Sequence, residues 1–356
     1  MRGSFAVWCI TDEVEVDDQK PTVELHFNIW CGLPNGNSDV LDIGFLFKET
    51  RTVQRILLYI PGKVILSQIQ DLSKILKDPI TLSAVFNDTL EVANPKGESF
   101  EAIRNKKIAF RVMHVDVRNP LELTIEELSE ANGQNGTIIA IEQDIIKRMA
   151  SIGDHYIRLR LQLSDGLKDM LVSQIEPSDT AFASSFYKLQ MIEFRLNERR
   201  NFSPELRSRL QVGQPPNISA VHYFLIRDLS VEMVQAHSTF RKMRRLEPDL
   251  WISYLSGLGS PKPEDMIIYH WREIADVGKT VEDFIALTSF RQPGARLSIY
   301  VLGIVLLGSL GSATQAMLTA LALSLGFNGT WSVQLTIMAL LGAAVAMLYL
   351  AVRPKR

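Results

Sequence analysis

The chain has 356 residues, 46% of them hydrophobic and 22% charged, with a formal net charge of −2. Cys9 and Cys31 are its only cysteines, too few for a disulfide framework or a cysteine-based zinc cluster, so both are expected to be small apolar residues in strands. The near-neutral total hides an acidic front, a basic stretch between residues 195 and 245, and a last segment from 291 onward with five basic and no acidic residues, which predicts different surfaces for different partners.

The start, MRGSFAVWCITDEVEVDD, turns acidic before an apolar run develops, so no secretory signal is expected there. Residues 1–135 read as a β-rich cytosolic domain. Phe5 to Ile10, Thr22 to Cys31, Val40 to Phe47 and Val53 to Ile60 are rich in Val, Ile, Phe, Tyr and Trp, and turn residues at Asp17-Asp18, Pro34 to Asn37 and Pro61-Gly62 separate them. In the second run Val23, Leu25, Phe27 and Ile29 alternate with Glu24, His26 and Asn28, which predicts a half-buried strand with His26 solvated on its polar face. Val64 to Lys77 has helical spacing, and Asp78-Pro79 is expected to stop that helix. Strands are expected again at Ile80 to Phe86, Thr89 to Ala93 and Ile108 to Val117, then an acidic segment at Leu121 to Glu130 and a boundary at Asn132 to Gly136.

Residues 136–290 read as a second, mixed α+β cytosolic domain carrying a basic patch. Thr137 to Ile152 is expected to be helical, and Tyr156 to Leu163 a strand with Arg158 and Arg160 on one face. Ser203-Pro204-Glu205 opens a helix, with Ser as cap and Pro at the first helical position. Ile218 to Ile226 reads as a buried strand and Val231 to Leu246 as a basic helix. Gly257 to Pro261 lacks both the third glycine of a dinucleotide fingerprint and the Gly-Lys-Ser/Thr ending of a P-loop, so it is a connector. Met266 to Phe290 is expected to be a helix that delivers the chain through a hinge at 291–296, around Pro293-Gly294, to the membrane.

Residues 297–352 contain no Asp, Glu, Lys or Arg and hold two apolar stretches near or above the roughly 20 residues that cross a ~30 Å hydrocarbon core. They are expected to form a transmembrane hairpin in the lipid bilayer. Lys279, Arg291 and Arg296 before it and the basic tail 353–356 after it place both termini in the cytoplasm by the positive-inside bias. Gly308, Gly311, Ser312, Gln315 and Thr319 in the first span, with Gln334 and Gly342 in the second, are the residues expected to pack helices closely or face a water-filled path in a homo-oligomer.

No His-Glu-x-x-His, Gly-x-Ser-x-Gly, Walker or Cys-x-x-Cys motif occurs, and the six histidines are scattered singly, so neither an enzyme nor a metal or other cofactor is expected. The arginines carry more information. Arg158, Arg160, Arg195, Arg199, Arg200, Arg207, Arg209, Arg241, Arg244 and Arg245 are the expected ligand-binding set, because guanidinium pairs with phosphate in bidentate fashion. Phe194, Phe202, Tyr223 and Phe240 could stack on bases.

The fold class expected is therefore an α+β cytosolic region followed by a C-terminal two-helix transmembrane hairpin. In layout alone, a cytosolic sensor joined to such a hairpin resembles the membrane effectors of bacterial anti-phage signalling. The resemblance implies an oligomeric inner-membrane effector or channel in antiviral defence, with a nucleotide or single-stranded oligonucleotide ligand and a signal-producing protein as partners. The alternative is a membrane-tethered scaffold or adaptor that binds a protein.

Overall fold

A computed structural model describes residues 3–326, apart from 12–19, 34–38, 49, 51, 96, 130–134, 150–152, 176–186, 259–261 and 294–296, and the isolated positions 334, 336, 338, 339 and 342. Met1–Pro177 and Lys188–Pro293 make one compact unit, and Ser178–Tyr187 with Gly294–Arg356 a second.

The first unit is mostly β. Its strands are β1 (Ala6–Thr11), β2 (Thr22–Trp30), β3 (Val40–Phe47), β4 (Val53–Ile60), β5 (Ile69–Asp71), β6 (Glu91–Ala93), β7 (Ser99–Arg104), β8 (Lys107–Met113) and β9 (Leu123–Ser129). They continue with β10 (Asn135–Ile141), β11 (His155–Gln162), β12 (Val172–Ile175), β13 (Tyr187–Leu196), β14 (Asn217–Asp228), β15 (Glu232–Ala236), β16 (Lys242–Arg245), β17 (Met266–Ile274) and β18 (Phe284–Pro293). A large mixed sheet runs β16-β17-β14-β2-β3-β11-β8-β7-β6, with β5 also on β11; β1-β4-β10-β9 and β12-β13-β18-β15 form two smaller sheets. In the large sheet β14 runs parallel to β2, and β11 parallel to β8.

Alternation along β2 and β11 sets the layers. Val23, Leu25, Phe27 and Ile29, with Ile157, Leu159 and Leu161, are buried in a core that also takes Val7, Leu58, Ile139, Phe194 and Phe284 from the two smaller sheets. The opposite face of the large sheet carries Trp30 and Tyr156 into a second core, where Leu82, Trp251 and Tyr254 cover it. A strand exposed on neither face buries its polar row too, so His26, Asn28, Arg158 and Arg160 are all buried.

Several expectations need correction. The Asp78-Pro79 pair starts a helix, Pro79–Phe86, in place of the expected strand: Asp78 accepts from the backbone N–H of Thr81 at 3.1 Å, and Pro79 at the first position has no N–H to leave unpaired. Val64 to Lys77 is not one helix. It contains a 3-10 turn, then β5 paired with β11, then the short helix Ser73–Leu76. Thr137 to Ile152 divides into β10 and the helix Gln143–Met149. The basic helix expected at Val231 to Leu246 is β15 and β16, and Met266 to Phe290, expected as the helix leading to the membrane, is β17 and β18. Apolar residues at i and i+4 share one face of a strand as well as one face of a helix, and partner strands decide the outcome.

The boundary expected near residues 132–136 lies partly outside the described residues, and strands on either side of it share sheets: β10 pairs with β4 and β9, and β11 with β3. The first unit is thus mainly β with short helices, and its strands from before and after this boundary share one compact unit.

In the second unit, Leu297–Ser324 is a 28-residue helix. Its segment Val301–Ser324 has mean hydropathy 1.7 and none of it is buried within the chain, so its apolar surface needs lipid or partners. Gly308, Gly311, Ser312 and Gln315 are exposed on this helix, and Thr319 is half-buried. Thr314 and Thr319 donate their hydroxyls to the carbonyls four residues back, both at 2.8 Å, and Ser309 does the same at 2.7 Å, so these groups are satisfied without water. The second expected span lies outside the described residues except for single positions, Gln334 and Gly342 among them, and so does the tail 353–356.

Candidate anion-binding cavity

One row of side chains crosses the second-core face of the large sheet. Register places Arg272 of β17 opposite His222 of β14, His222 opposite His26 of β2, His26 opposite Gly44 of β3, and Gly44 opposite Arg158 of β11. Gly44 is required there: a Cβ would lie 2.2 Å from the Tyr156 hydroxyl. Above this row is a cavity of about 510 Å³, within the usual range for small-molecule sites. The helix Pro79–Phe86 contributes Phe86 to its wall, β14 contributes Phe224, and the helix Pro248–Trp251 contributes Trp251.

Behind the row is a buried charge network. Arg160 donates from Nε to Asp42 Oδ1 at 2.6 Å and from Nη2 to Oδ2 at 3.0 Å. Asp42 Oδ2 also accepts from Tyr254 Oη at 2.6 Å and Trp30 Nε1 at 2.9 Å. Arg158 donates from Nε to Tyr254 Oη at 2.8 Å and from Nη1 to Tyr156 Oη at 2.7 Å. Its Nη2 is 4.0 Å from Asp42, buried, and without a hydrogen-bond partner. Burial alone would raise the Asp42 pKa, but the Arg160 charge and hydrogen bonds, then Arg158 and Tyr254, hold it below the ordinary carboxylate value. Two guanidiniums therefore share one carboxylate, leaving a surplus positive charge beside the cavity.

The mouth adds to that charge. Lys48, Arg104 and Arg244 line the cavity and have carboxylate partners, Glu24 at 3.2 Å, Asp88 at 2.6 Å and Glu247 at 3.3 Å. Arg241, Lys242 and Arg272 also line it, are exposed, and have no ion pair among the described residues.

The histidines do not lie singly. His26, His222 and His270 share the cavity, with His222 Nδ1 3.3 Å from His270 Nε2 and His26 Nδ1 3.3 Å from Tyr156 Oη. Burial, followed by neighbouring positive groups, holds His26 well below its ordinary pKa and lowers His222 to about 4 and His270 to about 3. All three are neutral imidazoles at pH 7. His26 is 8% exposed, so the expectation of a solvated strand histidine is overturned: the polar face of β2 is roofed by the helix Pro79–Phe86.

No protein-family model and no curated protein matches this chain. Of the ten arginines singled out in the sequence, Arg158, Arg241 and Arg244 line the cavity and Arg160 lies behind it. The others are elsewhere. Arg195 pairs with Glu193 at 2.6 Å, Arg200 with Glu198, Arg209 with Glu126, and Arg245 donates to the Glu264 carbonyl at 2.5 Å. Arg199 is exposed, and its carbonyl accepts from Arg207 at 3.4 Å. The aromatics named with them, Phe194, Phe202 and Tyr223, are buried in cores on other faces, and Phe240 packs on Tyr269 and Trp271. Sequence reasoning missed Lys48, Arg104, Lys242 and Arg272 and the three histidines. The available signal was the spacing of two: Glu24-His26, His222-Phe224 and His270-Arg272 each place two such residues on one strand face.

A second cluster does not make a nucleophile. Ser73 Oγ lies 3.0 Å from His114 Nδ1, and Asp71 Oδ2 lies 2.6 Å from that same nitrogen. A serine triad needs the hydroxyl and the carboxylate on opposite ring nitrogens, so this group serves as a clamp between β5, the helix Ser73–Leu76 and the end of β8.

Proposed function

We propose that this chain is a membrane-associated sensor whose basic cavity binds a phosphate-bearing ligand of the nucleotide or oligonucleotide class. The observation that carries the proposal is Arg158 Nη2, buried at the cavity wall with no hydrogen-bond partner, in a network with two guanidiniums and one carboxylate. Arg158 has only a share of Asp42, 4.0 Å away, and a buried donor without a hydrogen-bond partner costs roughly 1–3 kcal/mol, so a ligand of opposite sign would offset that cost. Exposed Arg241, Lys242 and Arg272 would draw an anion to the mouth, and Phe86, Phe224 and Trp251 offer apolar and aromatic surface for a base.

The apolar helix Val301–Ser324 supports a reading in which the response takes place at a membrane. In this reading the chain acts as an oligomeric effector or channel, with both termini in the cytoplasm of a bacterium, in antiviral defence. Ligand occupancy biases the arrangement of its membrane segments. The route from the cavity is not the helix expected from sequence. β17 carries His270 and Arg272, and β18 ends at Pro293, close in sequence to the membrane helix at Leu297.

The test is equilibrium binding of ATP, a cyclic dinucleotide and a tetranucleotide to the full chain in detergent, with Arg158→Met, Arg241→Glu and Arg272→Glu alongside. Removing one charged hydrogen-bond donor costs about 1.5–3 kcal/mol, so each variant is expected to bind at least ~10-fold more weakly. Absence of binding for all three probes, or equal binding by Arg158→Met, contradicts the proposal.

A further inference from the structure

We propose that Glu24, His26 and His222 form a divalent-metal site on the floor of the same cavity. Their ligand atoms lie within 4.8 Å of one another. The backbone fixes the set: His26 and His222 are register partners in the parallel β2/β14 pair, and Glu24 precedes His26 by two residues, on the same strand face.

Each histidine is engaged at Nδ1, His26 with Tyr156 Oη and His222 with His270 Nε2, which leaves Nε2 as the available ligand nitrogen on both rings. His222 Nε2 is buried and has no hydrogen-bond partner. An outer partner on one ring nitrogen, with the other nitrogen free, is how metal-ligating histidines are oriented. Bonds of ~2.0–2.1 Å in a tetrahedral site put ligand atoms roughly 3.3 Å apart, so side-chain rotation on the order of 1 Å closes the set.

Two imidazoles and a carboxylate select a first-row cation such as Zn²⁺ over Mg²⁺ or Ca²⁺, which prefer all-oxygen shells. Lys48 is paired with Glu24 at 3.2 Å, but it is 44% exposed, and a surface pair of that kind yields to a metal. Three protein ligands leave a position open towards the cavity for water or a ligand oxygen. Nearby Arg158 and Arg272 disfavour a second positive centre, so metal and anion should strengthen each other's binding. The three metal ligands are not residues the anion reading uses, and either reading can fail alone.

The experiment is titration of chelator-treated, full-length protein with Zn²⁺, and with Co²⁺ as a spectroscopic probe, for the wild type, Glu24→Gln, His26→Ala and His222→Asn. The expected result is one ion per chain and at least ~10-fold weaker binding in each variant. Glu24 and His222 are only half-buried, so their variants carry the test if His26→Ala fails to fold. No uptake below about 0.1 mM free Zn²⁺, or equal uptake by the folded variants, overturns the inference. ATP binding measured in chelator separates the two readings: its retention alongside failed metal uptake removes the metal site alone.

Discussion

Arg160 grips both oxygens of Asp42 at 2.6 and 3.0 Å, with the two side chains 2% and 0% exposed. This pair lets a buried arginine stand next to the cavity wall, because Asp42 also faces Arg158 at 4.0 Å. Asp42→Asn would leave two buried guanidiniums without a counter-charge. It is expected to lower stability by about 3–5 kcal/mol, read from denaturant midpoints of the full chain in detergent.

Arg158 predicts the opposite pattern. Arg158→Met removes the surplus charge and keeps the Asp42–Arg160 pair, so the variant should be as stable as the wild type or more so, while anion binding falls at least ~10-fold. A protein that loses stability and binding together would instead make Arg158 a structural residue. Thermal unfolding beside the binding titration distinguishes the two.

Gly44→Ala puts a methyl group 2.2 Å from the Tyr156 hydroxyl, which is held by Arg158 at 2.7 Å. The buried ring must move, and the expected loss is roughly 1–3 kcal/mol together with weaker anion binding. A crystal structure of the variant should show Tyr156 displaced from Arg158.

The clamp at His114 gives a pH dependence. The hydrogen bond that His114 donates to the Asp71 carboxylate raises the His114 pKa against the opposing effect of burial. The folded chain therefore holds its proton to higher pH than the unfolded chain, whose histidines titrate near ~6.5. The stabilisation is complete below that value and disappears as pH rises through the higher folded pKa. His114→Asn should thus cost more stability at about pH 5.5 than at about pH 8, in parallel denaturant titrations.

Much of the strand pattern was legible in the sequence. Val40 to Phe47 and Val53 to Ile60 coincide with β3 and β4, and strict alternation marked Tyr156 to Leu163, within one residue of β11. It was not legible that the polar rows of β2 and β11 are buried, because alternation says which residues share a face and not what covers it. Nor could the cavity be read: Glu24, Arg158, His222 and His270 come from four strands far apart in the chain, and only sheet order makes them neighbours. Arginine density in sequence pointed instead to Arg195 to Arg209, where local carboxylates take up several of the charges.

The membrane assignment has its own test. The full chain should stay with membranes through alkaline carbonate extraction, and a chain ending at Pro293 should be released. Release of the full chain would mean that Val301–Ser324 is covered by protein rather than lipid.

The most direct measurement is native mass spectrometry of the full-length protein after gentle detergent extraction, wild type beside Arg158→Met. The predicted result is a multi-subunit assembly whose wild-type subunits carry a nucleotide- or oligonucleotide-sized mass that the variant lacks. A wild-type monomer or dimer with no added mass, to which none of the three nucleotide probes adds, would contradict both the gated assembly and the anion-binding cavity.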